Sequence, residues 1–339
     1  KPLFKDSKVE RSNPDISPDG TELAYIENRS KLMVMNLKTK AVRQITDGST
    51  WQSSSGGFDY QWSPDGKKLL YTDRKNRVVE VDPATGIKRV LMQNPESEFF
   101  GVNYSADSKW LTYTKPASNE MSVVYVYNIA EGKEYPVTEK WYDSYSPTFS
   151  EDGKYLIFGS NRDFHPIYSR TEWNYAYTNM GGVYMALLAK DTPSPLLPKD
   201  GLTDDKEKEA KKDENNDPAP VKVDSDGLWS RIIRIPVDNG NVYSFYCDGK
   251  SLWYSTGRST SVFNFAKQKS EKCCDASLNY RFGDKKALCV KGFNQAYAVS
   301  FPSEKISLND PVDNSGMEAF VDYSQEWPQI FDEVWRAFR

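Results

Sequence analysis

Trp62-Ser63-Pro64-Asp65-Gly66-Lys67-Lys68-Leu69-Leu70-Tyr71 decides how the rest of the chain reads. Its first half is a turn. Proline at the second turn position presets φ near about −65°, aspartate at the third accepts hydrogen bonds from nearby amides, and glycine at the fourth tolerates a left-handed backbone. Its second half has the apolar and aromatic content of a strand. The turn recurs as Ser17-Pro18-Asp19-Gly20, and in weaker form as Ser105-Ala106-Asp107-Ser108 and Ser150-Glu151-Asp152-Gly153, in steps of 46, 42 and 45 residues. A second hairpin follows each of the first three copies: apolar runs at 32–37, 78–81 and 123–129 lead through Lys38-Thr39-Lys40, residues 82–86 and Glu131-Gly132 into further runs at 42–46, 89–91 and 135–138. Four short strands at that period make one propeller blade. Weaker units at 242–254 and 278–290 raise the number to six. A seventh, assembled from residues 306–323 and the N-terminal residues, is left open. The expectation is an all-β fold: a β-propeller of four-stranded antiparallel blades over residues 1–323, with a short C-terminal helix.

Composition narrows the function. The 339 residues carry 44 basic and 48 acidic side chains, a net charge of −4, without the basic excess that marks a nucleic-acid surface. No run approaches the roughly 18–20 apolar residues that span a bilayer. Histidine occurs once, as His165, so a zinc site built on two or three histidines is ruled out. A Ser-His-Asp apparatus would have to use His165, and no G-x-S-x-G elbow, phosphate loop or dinucleotide fingerprint is present. The chain reads as a non-catalytic module, with no cofactor and no metal. The four cysteines, Cys247, Cys273, Cys274 and Cys289, lack C-x-x-C spacing. Buried free thiols and one structural disulfide both remain open.

Two segments depart from the repeat. Residues 199–222 mix opposite charges without aromatics, which cannot bury a face, and read as a solvated, disordered insertion. From Ser324 to Pro328 the chain looks like a helix start, after which Ile330, Phe331, Val334, Trp335 and Phe338 fall on one stripe at helical spacing. Such a stripe needs something to pack on. It either folds back on the propeller or, the favoured reading, begins a further domain downstream, so residues 324–339 are assigned to that transition.

Four segments carry a family resemblance. Val183 to Leu196 contains Asp191-Thr192-Pro193-Ser194-Pro195; Ser160 to Tyr168 contains Arg162, Phe164, Pro166 and Tyr168 in an S-x-R-x-F-x-P-x-Y pattern; Asp226-Gly227 precedes Arg231 and Pro236-Val237; and Glu326 to Arg336 ends the chain. In this order they resemble the propeller of tricorn-type serine peptidases and its junction with the first helical catalytic subdomain. The resemblance implies a propeller that guides or filters unfolded peptides or oligopeptides toward catalytic domains downstream in the same polypeptide, and a homo-oligomer of the full-length protein. It places the family's catalytic serine and histidine beyond Arg336, so none maps onto this chain. Two other readings stand beside it: a free-standing TolB-like propeller that binds proteins in the cell envelope, and the cap of a prolyl-oligopeptidase-type enzyme. A bacterial envelope location is favoured over the cytoplasm.

The expected recognition surface is the long insertion of the fourth unit, where Phe164, His165, Tyr168, Trp173, Tyr175 and Tyr177 cluster. Aromatic side chains offer large contact area at low entropic cost. Packing of the same residues onto the blade is the alternative. Arg162 and Asp163 are expected to pair and fix the base of this loop. Ser53-Ser54-Ser55-Gly56-Gly57, beside Trp51, reads as an inter-blade loop or channel mouth.

Overall fold

The computed structural model describes residues 3–4, 9–49, 60–164, 166–168, 175–197, 218–282, 285–292, 295–313, 315–316 and 322–338. Residues 51–57, His165, Trp173 and most of the charged insertion lie outside them.

Six antiparallel sheets follow one another along the chain. Blade 1 is β1 (Arg11–Ile16), β2 (Glu22–Glu27), β3 (Lys31–Asn36) and β4 (Val42–Gln44). Blade 2 is β5 (Tyr60–Trp62), β6 (Leu69–Asp73), β7 (Arg77–Val81) and β8 (Lys88–Gln93). Blade 3 is β9 (Phe100–Tyr104), β10 (Trp110–Pro116), β11 (Ser122–Asn128) and β12 (Lys133–Pro136). Blade 4 holds β13 (Ser144–Phe149) and β14 (Tyr155–Ser160), then a separate small hairpin, β15 (Pro166–Tyr168) and β16 (Tyr175–Tyr177), then β17 (Gly182–Leu187) and β18 (Ile232–Ile235). Blade 5 is β19 (Val242–Cys247), β20 (Ser251–Thr256), β21 (Ser259–Asn264) and β22 (Lys269–Cys274). Blade 6 is β23 (Ser277–Phe282), β24 (Lys286–Lys291) and β25 (Gln295–Ser300), edged by a single bridge from Tyr297 to Pro311. The fold is a six-bladed β-propeller. Within residues 306–323 that bridge is the only strand-type pairing among the described residues, and no seventh sheet forms there.

The core lies between blades, which explains why the middle strands read as continuous apolar runs. Leu69 packs toward blade 1 with Ile26 and Val34, while its neighbour Leu70 packs toward blade 3 with Leu111 and Tyr113. Leu156 faces Val124 and Val126 of blade 3; Ile157 faces Leu252 and Phe263 of blade 5. Trp253 then meets Ala287 and Cys289 of blade 6. Alternation along each middle strand thus feeds two interfaces at once.

The repeated turns are built around their serine. Ser17, Ser63, Ser105 and Ser150 each donate an Oγ hydrogen bond of 2.6 Å to the aspartate two residues on. Each Oγ also accepts the amide five residues on, from Glu22, Lys68, Trp110 and Tyr155, at 2.9–3.0 Å. All four serines are buried. The fourth turn position is left-handed in every copy: Gly20, Gly66, Ser108 and Gly153 have φ of 71°, 71°, 57° and 68°. Ser105→Ala would strand the buried Trp110 amide. A loss of about 1–3 kcal/mol in unfolding free energy is expected, read by urea denaturation with an unchanged slope.

After blade 6 the helix α1 (Tyr323–Phe338) begins, its first turn closed by the Ser324 amide on Asp322 Oδ1 at 3.0 Å. Its stripe does not fold back on the propeller. Trp327, Phe331, Trp335 and Phe338 are exposed, and blade 1 meets the helix through an Arg29–Glu333 ion pair of 2.9 Å. No helix among the described residues is long and apolar enough to cross a membrane.

Candidate functional site

The first strand of each blade lies nearest the axis, and five of these six strands are irregular. β1, β9, β13, β19 and β23 each break register against the second strand of their blade. The residues at four of these breaks, Asn13, Gly101, Ser146 and Ser244, have φ of 50°, 59°, 52° and 55°. A bulge leaves backbone groups without a ladder partner. Here the neighbouring inner strand supplies some of the partners. Tyr60 donates to Asn13 O, Gln61 to Val102 O, and Asn103 to Pro147 O at 3.2 Å. Trp62 Nε1 donates to Asp15 O at 3.2 Å. A chain of hydrogen bonds thus runs through the inner strands of blades 1 to 4.

In antiparallel blades, the turn between second and third strands shares a face with the connection into the next blade. The blade 4 insertion, residues 161–181, therefore lies on the face that carries the 137–143 and 236–241 connections. The Ser-x-Asp-Gly turns lie on the opposite face. Near the far end of the charged insertion, buried Val221 is fastened to that opposite face by its amide on Asp107 Oδ2 at 2.9 Å.

The base of the blade 4 insertion is polar. Asp163 forms a 2.9 Å ion pair with Arg234 of β18, accepts a 2.6 Å hydrogen bond from Asn239 Nδ2, and accepts from the Tyr184 hydroxyl at 3.4 Å. Its amide donates to Met180 O at 3.2 Å, closing the neck of the insertion. Beside this base, Thr178, Asn179, Arg234, Val237, Asp238 and Asn239 line an open depression of about 440 Å³.

Arg162 does not pair with Asp163. Successive residues of extended backbone point to opposite sides. The Arg162 guanidinium accordingly turns toward the rings of Tyr184, Tyr142 and Phe158, whose centroids lie 5.1, 5.7 and 5.9 Å away, while its Nε donates to Ser160 Oγ at 3.1 Å. Burial pulls its pKa below the ordinary guanidinium value. Cation–π attraction compensates part of the lost hydration.

Above this base stand the aromatic candidates. Phe164, Tyr168 and Tyr177 are 66%, 44% and 51% exposed, so these three are not packed down onto the blade. Phe164 and Tyr177 meet with centroids 5.2 Å apart. The β15–β16 register pairs Pro166 with Tyr177 and Tyr168 with Tyr175, which puts these four positions on one side of the hairpin. The Tyr175 side chain, like His165 and Trp173, lies outside what is described. On the same face, in the connection into blade 4, Tyr142 has its ring 5.7 Å from the Arg162 guanidinium, and its neighbour Trp141 is 76% exposed. These two residues escape a linear reading because they sit about twenty positions upstream, in the connection between blades 3 and 4. Shared-face topology is the signal that finds them.

Residues 52–301 match the family model described as the tricorn protease second beta propeller domain. Tricorn protease homolog 1 of Streptomyces coelicolor is 26% identical over 306 residues, covering 82% of this chain and 28% of its own length. The tricorn protease of Thermoplasma volcanium is 21% identical over 295 residues, covering 83% of this chain and 28% of its own. The crystal structure of the tricorn protease superposes with a TM-score of 0.71 at 17% identity, over 93% of this chain and 32% of that one. The chain therefore spans about a third or less of these relatives. It belongs to the tricorn protease second β-propeller domain family.

Proposed function

We propose that this chain is the non-catalytic, peptide-guiding propeller of a tricorn-like serine peptidase, handing unfolded peptides to catalytic domains elsewhere in the same protein. The observation that supports this best is the set of exposed aromatics Phe164, Tyr168 and Tyr177 on the blade 4 insertion, whose base is tied by the Asp163–Arg234 ion pair, with Trp141 and Tyr142 exposed on the same face. Guiding requires contacts that are individually weak, because a tight site would hold the peptide instead of passing it on. Aromatic rings meet that need: they bind apolar and peptide groups without demanding one sequence. The hydrogen bonds along the inner strands keep those backbone carbonyls engaged, so they offer a passing peptide little to hold on to. The exposed apolar stripe of α1 is suited to pack against a domain that follows.

Titration of this chain with labelled unfolded peptides tests the reading. A dissociation constant of about 10–100 μM is expected, or roughly −5.5 to −7 kcal/mol. The triple variant Phe164→Ala, Tyr168→Ala, Tyr177→Ala is expected to bind about tenfold more weakly, with its unfolding midpoint unchanged because these side chains are exposed. Equal binding by the triple variant would remove the patch from the account.

A further inference from the structure

Three of the four cysteines, Cys273, Cys274 and Cys289, lie in the buried cluster between blades 5 and 6. A regular strand would send the vicinal pair to opposite faces. Here β22 carries a bulge against β21: Thr260 pairs with Cys274 and Ser261 with Lys272, leaving Cys273 as the extra residue. Both vicinal cysteines are buried as a result. Cys274 is the last residue of blade 5, and Cys289 sits in the middle strand of blade 6, opposite Leu278. The two ladders are tied together at this point. The Leu278 amide donates to Thr260 Oγ1 at 3.1 Å and to Ser255 Oγ at 3.2 Å, while Thr260 Oγ1 donates to Ala276 O at 2.7 Å. The residue paired with Cys274 thus holds the residue paired with Cys289. This places the buried Cys274 and Cys289 in one cluster across the interface, with Cys274 Sγ donating to Ala276 O at 3.5 Å.

We propose that Cys274 and Cys289 are a disulfide-forming pair that staples blade 5 to blade 6 when the protein meets a disulfide oxidant, with Cys273 and Cys247 remaining thiols. The chemistry balances as a two-step exchange. The Cys274 thiolate attacks one sulfur of a small-molecule disulfide, forming a mixed disulfide and releasing one thiolate. Cys289 then loses its proton and attacks the Cys274 sulfur, releasing the second. Two protein thiols are oxidised, one oxidant disulfide is reduced to two thiols, and the protons pass to the released thiolates. The roles follow from access to the oxidant: Cys274 is 8% exposed and Cys289 is fully buried. Interaction with Cys289 lowers the pKa of Cys274, and interaction with Cys274, together with burial, raises that of Cys289. Cys247, in the core between blades 4 and 5, belongs to a different cluster.

The test is refolding of the reduced, denatured chain in a buffer of oxidised and reduced glutathione. Thiol counting and non-reducing peptide mapping follow. Loss of two of the four thiols is expected, with one linked peptide pair joining Cys274 to Cys289. Cys273→Ser is expected to keep that link, and Cys289→Ser to keep three thiols. Four thiols in the refolded wild-type protein would overturn the proposal, as would a link through Cys273 or Cys247. Mapping the wild-type protein decides the matter even if a variant fails to fold.

Discussion

Gly181→Ala is expected to lower the unfolding free energy by about 2–4 kcal/mol, with the loss read as a lower urea midpoint at constant slope. The cause is steric. A Cβ at this position would lie 2.4 Å from the Gly240 carbonyl oxygen and 2.8 Å from the Tyr145 hydroxyl. The first of these is backbone and cannot swing aside. Gly240 is also the residue whose amide donates to Gly181 O at 2.9 Å. Any shift that relieves the clash therefore stretches the bond joining the end of the blade 4 insertion to the connection into blade 5. Gly316→Ala is the matched control. Nothing lies within 4 Å of its Cβ position, and a change of less than about 0.5 kcal/mol is expected. Equal stability of the two variants would mean that the two connections do not meet as closely as described.

Asp163→Ala has its largest expected effect locally. The substitution removes the acceptor shared by Arg234, Asn239 and Tyr184 and leaves the ends of the insertion to backbone bonds: residue 163 to Met180 O, Asn161 to Asp143 O and Gly240 to Gly181 O. Arg234 is exposed enough to turn to water, so the global cost is modest. The insertion itself loses its anchor. Losing an ion pair and a charged hydrogen bond lowers the free energy of local opening by about 2 kcal/mol, roughly a thirtyfold rise in the open population. Limited proteolysis under conditions where cleavage follows that population should cut within 161–181 at least tenfold faster than in the wild-type chain. Cleavage at the wild-type rate would show that the aromatic patch is held by something other than its polar base. Peptide binding should weaken in parallel, because the aromatics would no longer be presented in one arrangement.

Much of the fold is legible in the repeats. Trp62-Ser63-Pro64-Asp65-Gly66 and its copies mark the turn between first and second strands, and the left-handed fourth position holds even where Ser108 replaces glycine. The serine is less legible. Its composition suggests an ordinary turn residue, whereas burial makes it the hydrogen-bonding centre of four blades. The inner-strand bulges leave no common residue type to read: Asn13, Gly101, Ser146 and Ser244 share a backbone geometry, not a side chain. On the proposed surface, Phe164, Tyr168 and Tyr177 are candidates from clustering alone, and the structure leaves their side chains exposed. Trp141 and Tyr142 could not be chosen that way, because only the blade topology puts their connection on the same face. Adjacency in sequence misleads at Arg162 and Asp163, which extended backbone turns apart, and also at Cys273 and Cys274, which a bulge turns together.

Binding without cleavage is the claim on which the functional account rests. Incubating the 339-residue chain with an unfolded peptide, and following complex formation by fluorescence and peptide mass over the same hours, tests both halves together. The account predicts a saturable, rapidly reversible complex with every peptide intact. Shortened peptides would contradict it, as would an unbound peptide at concentrations well above 100 μM.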